Sequence, residues 1–103
     1  MIHVRVTRSP SIIEELVISG HAQSAVRGKD LVCAAVSAIA QGGLVALQDD
    51  SYPVDYEIEE GYIRIRVLGA HEKVQTIIET VVVQLTALAE NQKKYVAIQT
   101  ITH

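Results

Sequence analysis

Residues Val54 to Val67 alternate apolar and polar side chains on either side of Glu60-Gly61. Val54, Tyr56 and Ile58 alternate with Asp55, Glu57 and Glu59. After the break, Ile63, Ile65 and Val67 alternate with Tyr62, Arg64 and Arg66. A repeat of two is that of a half-buried strand, and a two-residue turn at Glu60-Gly61 joins the two strands into a hairpin. That register sets Glu57 opposite Arg64 and Asp55 opposite Arg66, so opposite charges meet across the strands. Exposed pairs of this kind add little stability each. Their value lies in fixing which residues face one another.

The rest of the chain supplies the partners such a hairpin needs. Ile2, Val4 and Val6 alternate with His3, Arg5 and Thr7, a first strand. Ser9-Pro10-Ser11 signals a turn. A second strand follows with Ile12, Leu16 and Ile18 on one face. Glu14 interrupts that face, so the strand begins late or lies at an edge, and Gly20 ends it. The loop from His21 to Lys29 is small and polar, with Gly28 near its end. Asp30 reads as a helix N-cap whose side-chain oxygen accepts from the amide of Val32 or Cys33. From Leu31 to Leu47 the chain is apolar on almost every side, which predicts a largely buried helix. Gly42-Gly43 marks close packing, a kink or an early end. Val74, Ile77, Ile78, Val81, Leu85 and Leu88 recur at three- and four-residue steps, an amphipathic helix. Asn91 to Lys94 forms its exit, and Tyr95 to Ile101 reads as a last strand. The order is β-β-α-β-β-α-β. It predicts one layered α/β (α+β) domain over residues 1–103, with a mostly antiparallel sheet and two helices.

Composition narrows the function classes. Hydrophobic residues make up 49% of the 103, yet there is no Phe or Trp, so the core is aliphatic. A chain this small and apolar suits an oligomer. The net charge of −3 carries no basic stripe, which argues against direct nucleic-acid binding. The opening residues alternate and lack the apolar run of a secretory signal. The run from Leu31 to Ala40 is too short to span a bilayer. A single cysteine cannot form an intramolecular disulfide, and the plain expectation is a cytoplasmic protein.

His21 and Cys33 are the candidates for chemistry. With Asp30 as N-cap, Cys33 is the third helical residue, where free amides and a partial positive charge favour a thiolate. His21 stands at a strand end before a flexible loop and could reach the same place. It could then take the thiol proton or stabilise the thiolate. Unpaired amides at the helix start could serve as an oxyanion hole. The bland readings are a small core cysteine and a surface histidine. Asp30 is explained by capping alone, or else orients His21. Ser37, one turn after Cys33, either contacts the site or packs as a small helical residue. His3, His21, Cys33, His71 and His103 show no metal-ligand spacing, no phosphate loop is present, and no cofactor is predicted. Glu59-Glu60 and Asp49-Asp50 read as solvated turn residues.

The block Gly20-His21-Ala22, then Gly28, then Asp30-Leu31-Val32-Cys33-Ala34-Ala35-Val36-Ser37 resembles the signature of the ribosomal-processing cysteine protease Prp family. The resemblance covers essentially the whole chain. It implies a bacterial cytoplasmic endopeptidase that removes the N-terminal extension of a large-subunit ribosomal protein and so supports ribosome assembly. It assigns the catalytic histidine to His21, the nucleophile to Cys33 and the motif's aspartate to Asp30. It further implies a homodimer and a mobile loop between the two catalytic residues that orders around substrate; Gly20, Ala22, Gly28 and Ser37 are the candidate substrate-loop residues. A rival reading is a non-catalytic module that grips a peptide tail during ribosome assembly.

Overall fold

The computed structural model describes residues 1–21, 30–48 and 53–103. The loop from Gln23 to Lys29, with Gly28, lies outside the described residues, as do Ala22 and Asp49-Asp50. The element order is as expected: β1 (Ile2–Arg8), β2 (Ile13–Gly20), α1 (Leu31–Leu47), β3 (Val54–Glu59), β4 (Tyr62–Val67), α2 (Glu72–Asn91) and β5 (Val96–Thr102). The five strands form one sheet in the order β3-β4-β2-β1-β5. Only the β1–β5 pair is parallel; the other three are antiparallel. Ile2, Val4, Val6, Leu16, Ile18, Ile63, Ile65 and Val67 point to one face of that sheet and share a single aliphatic core with both helices.

The hairpin register is the one the charges dictate, with Asp55 across from Arg66 and Glu57 across from Arg64. Arg64 nevertheless reaches diagonally. It donates to Asp55 at 3.2 Å and lies 3.7 Å from both Glu57 and Glu15. The hydrogen bond to Asp55, helped by the charges of Asp55, Glu15 and Glu57, holds the guanidinium above its usual range.

Strand β2 differs from expectation. It is the central strand, between β4 and β1, and Ile13 rather than Ile12 takes the core position. The pairing with β1 shifts register between Thr7 and Arg8, where Glu15 faces Thr7 and Ile13 faces Arg8. One extra residue on β2 is thus absorbed in a bulge, which turns the chain so that Ile13 and Leu16 both point inward. Glu14 does not break the apolar face; it is the residue the bulge sets aside. Beside it, Gln75 of α2 grips the main chain. Its amide oxygen accepts from the Ile13 N–H and its nitrogen donates to the Ile13 carbonyl, both at 2.9 Å.

Helix α1 is also less buried than its composition suggests. Val32, Val36, Ala40, Leu44 and Leu47 face inward, whereas Leu31 is 80% and Val45 69% exposed. Among the described residues, α1 packs on one flank, against α2 and the core face of the sheet. The two glycines do not end it. A Cβ on Gly43 would collide with Cγ2 of Val81 in α2, while one on Gly42 would meet open space. Gly43 is therefore the place where the helices approach closely. Val81 is β-branched and stiff in a helix, so it cannot swing aside. Gly42→Ala should stabilise the protein by about 1 kcal/mol through helix propensity. Gly43→Ala should destabilise it by about 1 kcal/mol, because overpacking of about 1–3 kcal/mol outweighs the same gain. Urea unfolding of the two variants measures the difference, and equal shifts would disprove the close contact.

Candidate active site

The ends of two elements build the site. At the close of β2, Gly20 has φ +94, and a Cβ there would collide with the Met1 carbonyl oxygen. Its N–H donates to the Gly61 carbonyl at 2.9 Å. The next residue, His21, accepts at its own carbonyl from the Met1 amino group at 2.6 Å. The main chain around His21 is thus held from β1 on one side and from the β3–β4 turn on the other. The His21 side chain is exposed.

At the start of α1, Asp30 is the N-cap, as predicted. Its Oδ1 accepts from the Val32 amide at 3.1 Å and from the Cys33 amide at 3.0 Å, and its carbonyl accepts from the Ala34 amide at 3.1 Å. Two of the helix-start amides considered as oxyanion donors are therefore engaged by the Asp30 carboxylate. That negative charge also offsets part of the positive field at the helix start. Cys33 follows in the first turn and is half-buried.

A cavity of about 310 Å³ brings the two sets together. Gly20, His21, Cys33 and Ser37 all line it. Cys33, Ser37 and Gln41 fall on one helix face at four-residue steps, which is why Ser37 reaches the cavity. Ile2, Ile18, Ile58 and Ile63 give it an aliphatic wall, and Glu59 to Tyr62 form its rim. The sequence reads Glu59-Glu60 as solvated turn residues, Gly61 as part of the hairpin turn and Tyr62 as a strand residue, none of them at the site. What carries the turn here is the pairing of β4 with β2, which puts Tyr62 across from Ser19. Among the described residues no three His, Cys, Asp or Glu side chains gather as a metal site. No helix among them is long and apolar enough to cross a membrane.

A thiol and an imidazole on one cavity fit the class of cysteine hydrolases that work by thiol attack. The comparisons with known proteins agree. The family model described as cysteine protease Prp matches residues 1–97. The ribosomal processing cysteine protease Prp of Mycoplasma pneumoniae is 31% identical over 85 residues, 82% of this chain and 85% of that one. Its Staphylococcus aureus namesake is 27% identical over 82 residues, 76% of this chain and 77% of that one. Among solved structures, the S. aureus ribosomal processing protease Prp with a covalently linked product peptide superposes with a TM-score of 0.91 at 26% identity, covering 97% of this chain and 99% of that one. SMU.848 from Streptococcus mutans gives 0.87 at 32% identity, covering 100% of this chain and 96% of that one. The chain belongs to the cysteine protease Prp family. It is a protease, and the non-catalytic module falls away.

Proposed function

We propose that this protein is an endopeptidase that removes the N-terminal extension of a large-subunit ribosomal protein, with Cys33 as nucleophile and His21 as acid and base. One observation carries the assignment: His21 and Cys33, distant in fold elements, line the same cavity. The names of the relatives carry the substrate class, and the S. aureus structures described with a substrate peptide and a covalently linked product peptide support a peptide as what this chain binds. The Cys33 thiolate attacks the scissile carbonyl. His21 protonates the leaving amine as the acyl-enzyme forms, then takes a proton from the water that releases it. With the Val32 and Cys33 amides held by Asp30, these two can serve an oxyanion only by changing partner. The aliphatic wall suits apolar side chains on the substrate strand. Incubation with the extended ribosomal protein, read by mass spectrometry for wild type and Cys33→Ser, tests the reading. Removal of the extension by both proteins alike would refute it.

Asp30 acts in this reading as cap rather than as orienter of His21. Asp30→Ala should cost about 1 kcal/mol of stability, and Asp30→Asn should restore both stability and turnover, since its amide oxygen can accept the same bonds. An Asn variant that is stable yet inactive would instead give the carboxylate charge a catalytic part.

The protein works in the cytoplasm beside its substrate and as a homodimer. The exposed Leu31 and Val45 on α1 and Tyr56 on β3 are among the apolar side chains available for a second copy. A sedimentation mass equal to one 11.2 kDa chain at micromolar concentration would overturn the dimer.

A further inference from the structure

We propose that Gly61 is a positioning residue for His21: the bare Cα of the β3–β4 turn is the seat on which the imidazole rests. The inference extends the role given to His21 above and rests on it. An ideal Cβ built on Gly61 would lie 2.7 Å from Nε2 of His21, 3.3 Å from Cε1 and 3.4 Å from Cδ2. One edge of the ring therefore occupies the volume that any side chain at position 61 would fill. The same residue holds the main chain that carries the ring, because its carbonyl accepts the Gly20 N–H at 2.9 Å. Ring and backbone of the histidine are located by one residue, forty positions away in sequence, brought there by the pairing of Tyr62 with Ser19.

Gly61 also has φ +71, a left-handed conformation that glycine adopts freely. Two requirements thus meet at one position, and they can be separated. Asparagine tolerates a left-handed φ better than other side chains, so Gly61→Asn keeps the turn while placing a Cβ against the imidazole. A catalytic group moved by about 1 Å can lose about a hundred-fold in rate, whereas a turn replacement with compatible φ that meets only the His21 side chain costs little stability.

The test combines two measurements. In the wild-type protein, NMR should show nuclear Overhauser contacts from the Gly61 α-protons to the His21 Hε1 and Hδ2 protons. Their absence overturns the seat without need of a variant. In Gly61→Asn, unfolding should stay close to wild type, the His21 ring resonances should move, and kcat/KM on a tail peptide should fall about a hundred-fold, chiefly in kcat. The pH profile of Cys33 alkylation by iodoacetamide should change with it. Unmoved ring resonances overturn the proposal whether or not activity falls, and so does wild-type kcat/KM. Should His21→Ala itself turn over normally, the catalytic reading of His21 fails, while the ring contacts still report on the seat.

Discussion

Cys33→Ala should yield a folded protein that does not cleave its peptide. The proposed nucleophile has no substitute: among the 103 residues it is the single cysteine, and Ser37, the nearest hydroxyl on the same helix face, is one turn away. Loss of a nucleophile in a protease that acts through a covalent intermediate removes on the order of 10⁶ in kcat, so residual cleavage should vanish into background. Stability should barely change. Cys33 is only half-buried at the edge of the core, the cap bond from its backbone N–H is one that alanine keeps, and alanine favours the helix. Mass spectrometry of the tail substrate and thermal unfolding of the same sample check both halves. Cleavage at the wild-type rate would sink the covalent mechanism.

His21→Ala should reduce kcat/KM by about 10²–10⁴-fold, the usual worth of a positioned acid–base group. Its fold should survive, because what locks this stretch is main chain. The Gly20 N–H still reaches Gly61, and the His21 carbonyl still accepts from Met1. Steady-state kinetics, with circular dichroism as the control for folding, give the result. An unchanged kcat/KM would place the acid–base role elsewhere.

What sequence makes legible here is what short-range chemistry determines. The β3–β4 register follows from charges directly across a turn, and the start of α1 follows from Asp30 and the two amides within its reach. The His21–Cys33 pair was legible as a candidate because strand end, loop and helix start stand in succession. The parts that escaped depend on contacts made far along the chain. Alternation cannot reveal a bulge, so Ile12 and Ile13 could not be told apart. Composition cannot say that α1 has one covered flank. Strand order alone brings Glu59 to Tyr62 beside His21, and nothing local in those four residues announces it. The resemblance of the Gly20–Ser37 block supplied the chemistry that spacing left open.

The grip of Gln75 on Ile13 changes what holds the middle of the sheet in place. At most positions a strand's main chain is guarded by the next strand. At Ile13 the guard is a helix side chain that satisfies both the amide and the carbonyl. The bulged end of the first hairpin therefore cannot unzip on its own; freeing the Ile13 amide to solvent requires the helical layer to lift as well. Local openings of a protein follow such cooperative units rather than single hydrogen bonds. Here the unit joins β1, β2 and α2, and it lies at the opposite end of β2 from His21, so the strand that leads into His21 is moored at its far end by a residue outside the cavity that His21 and Cys33 line.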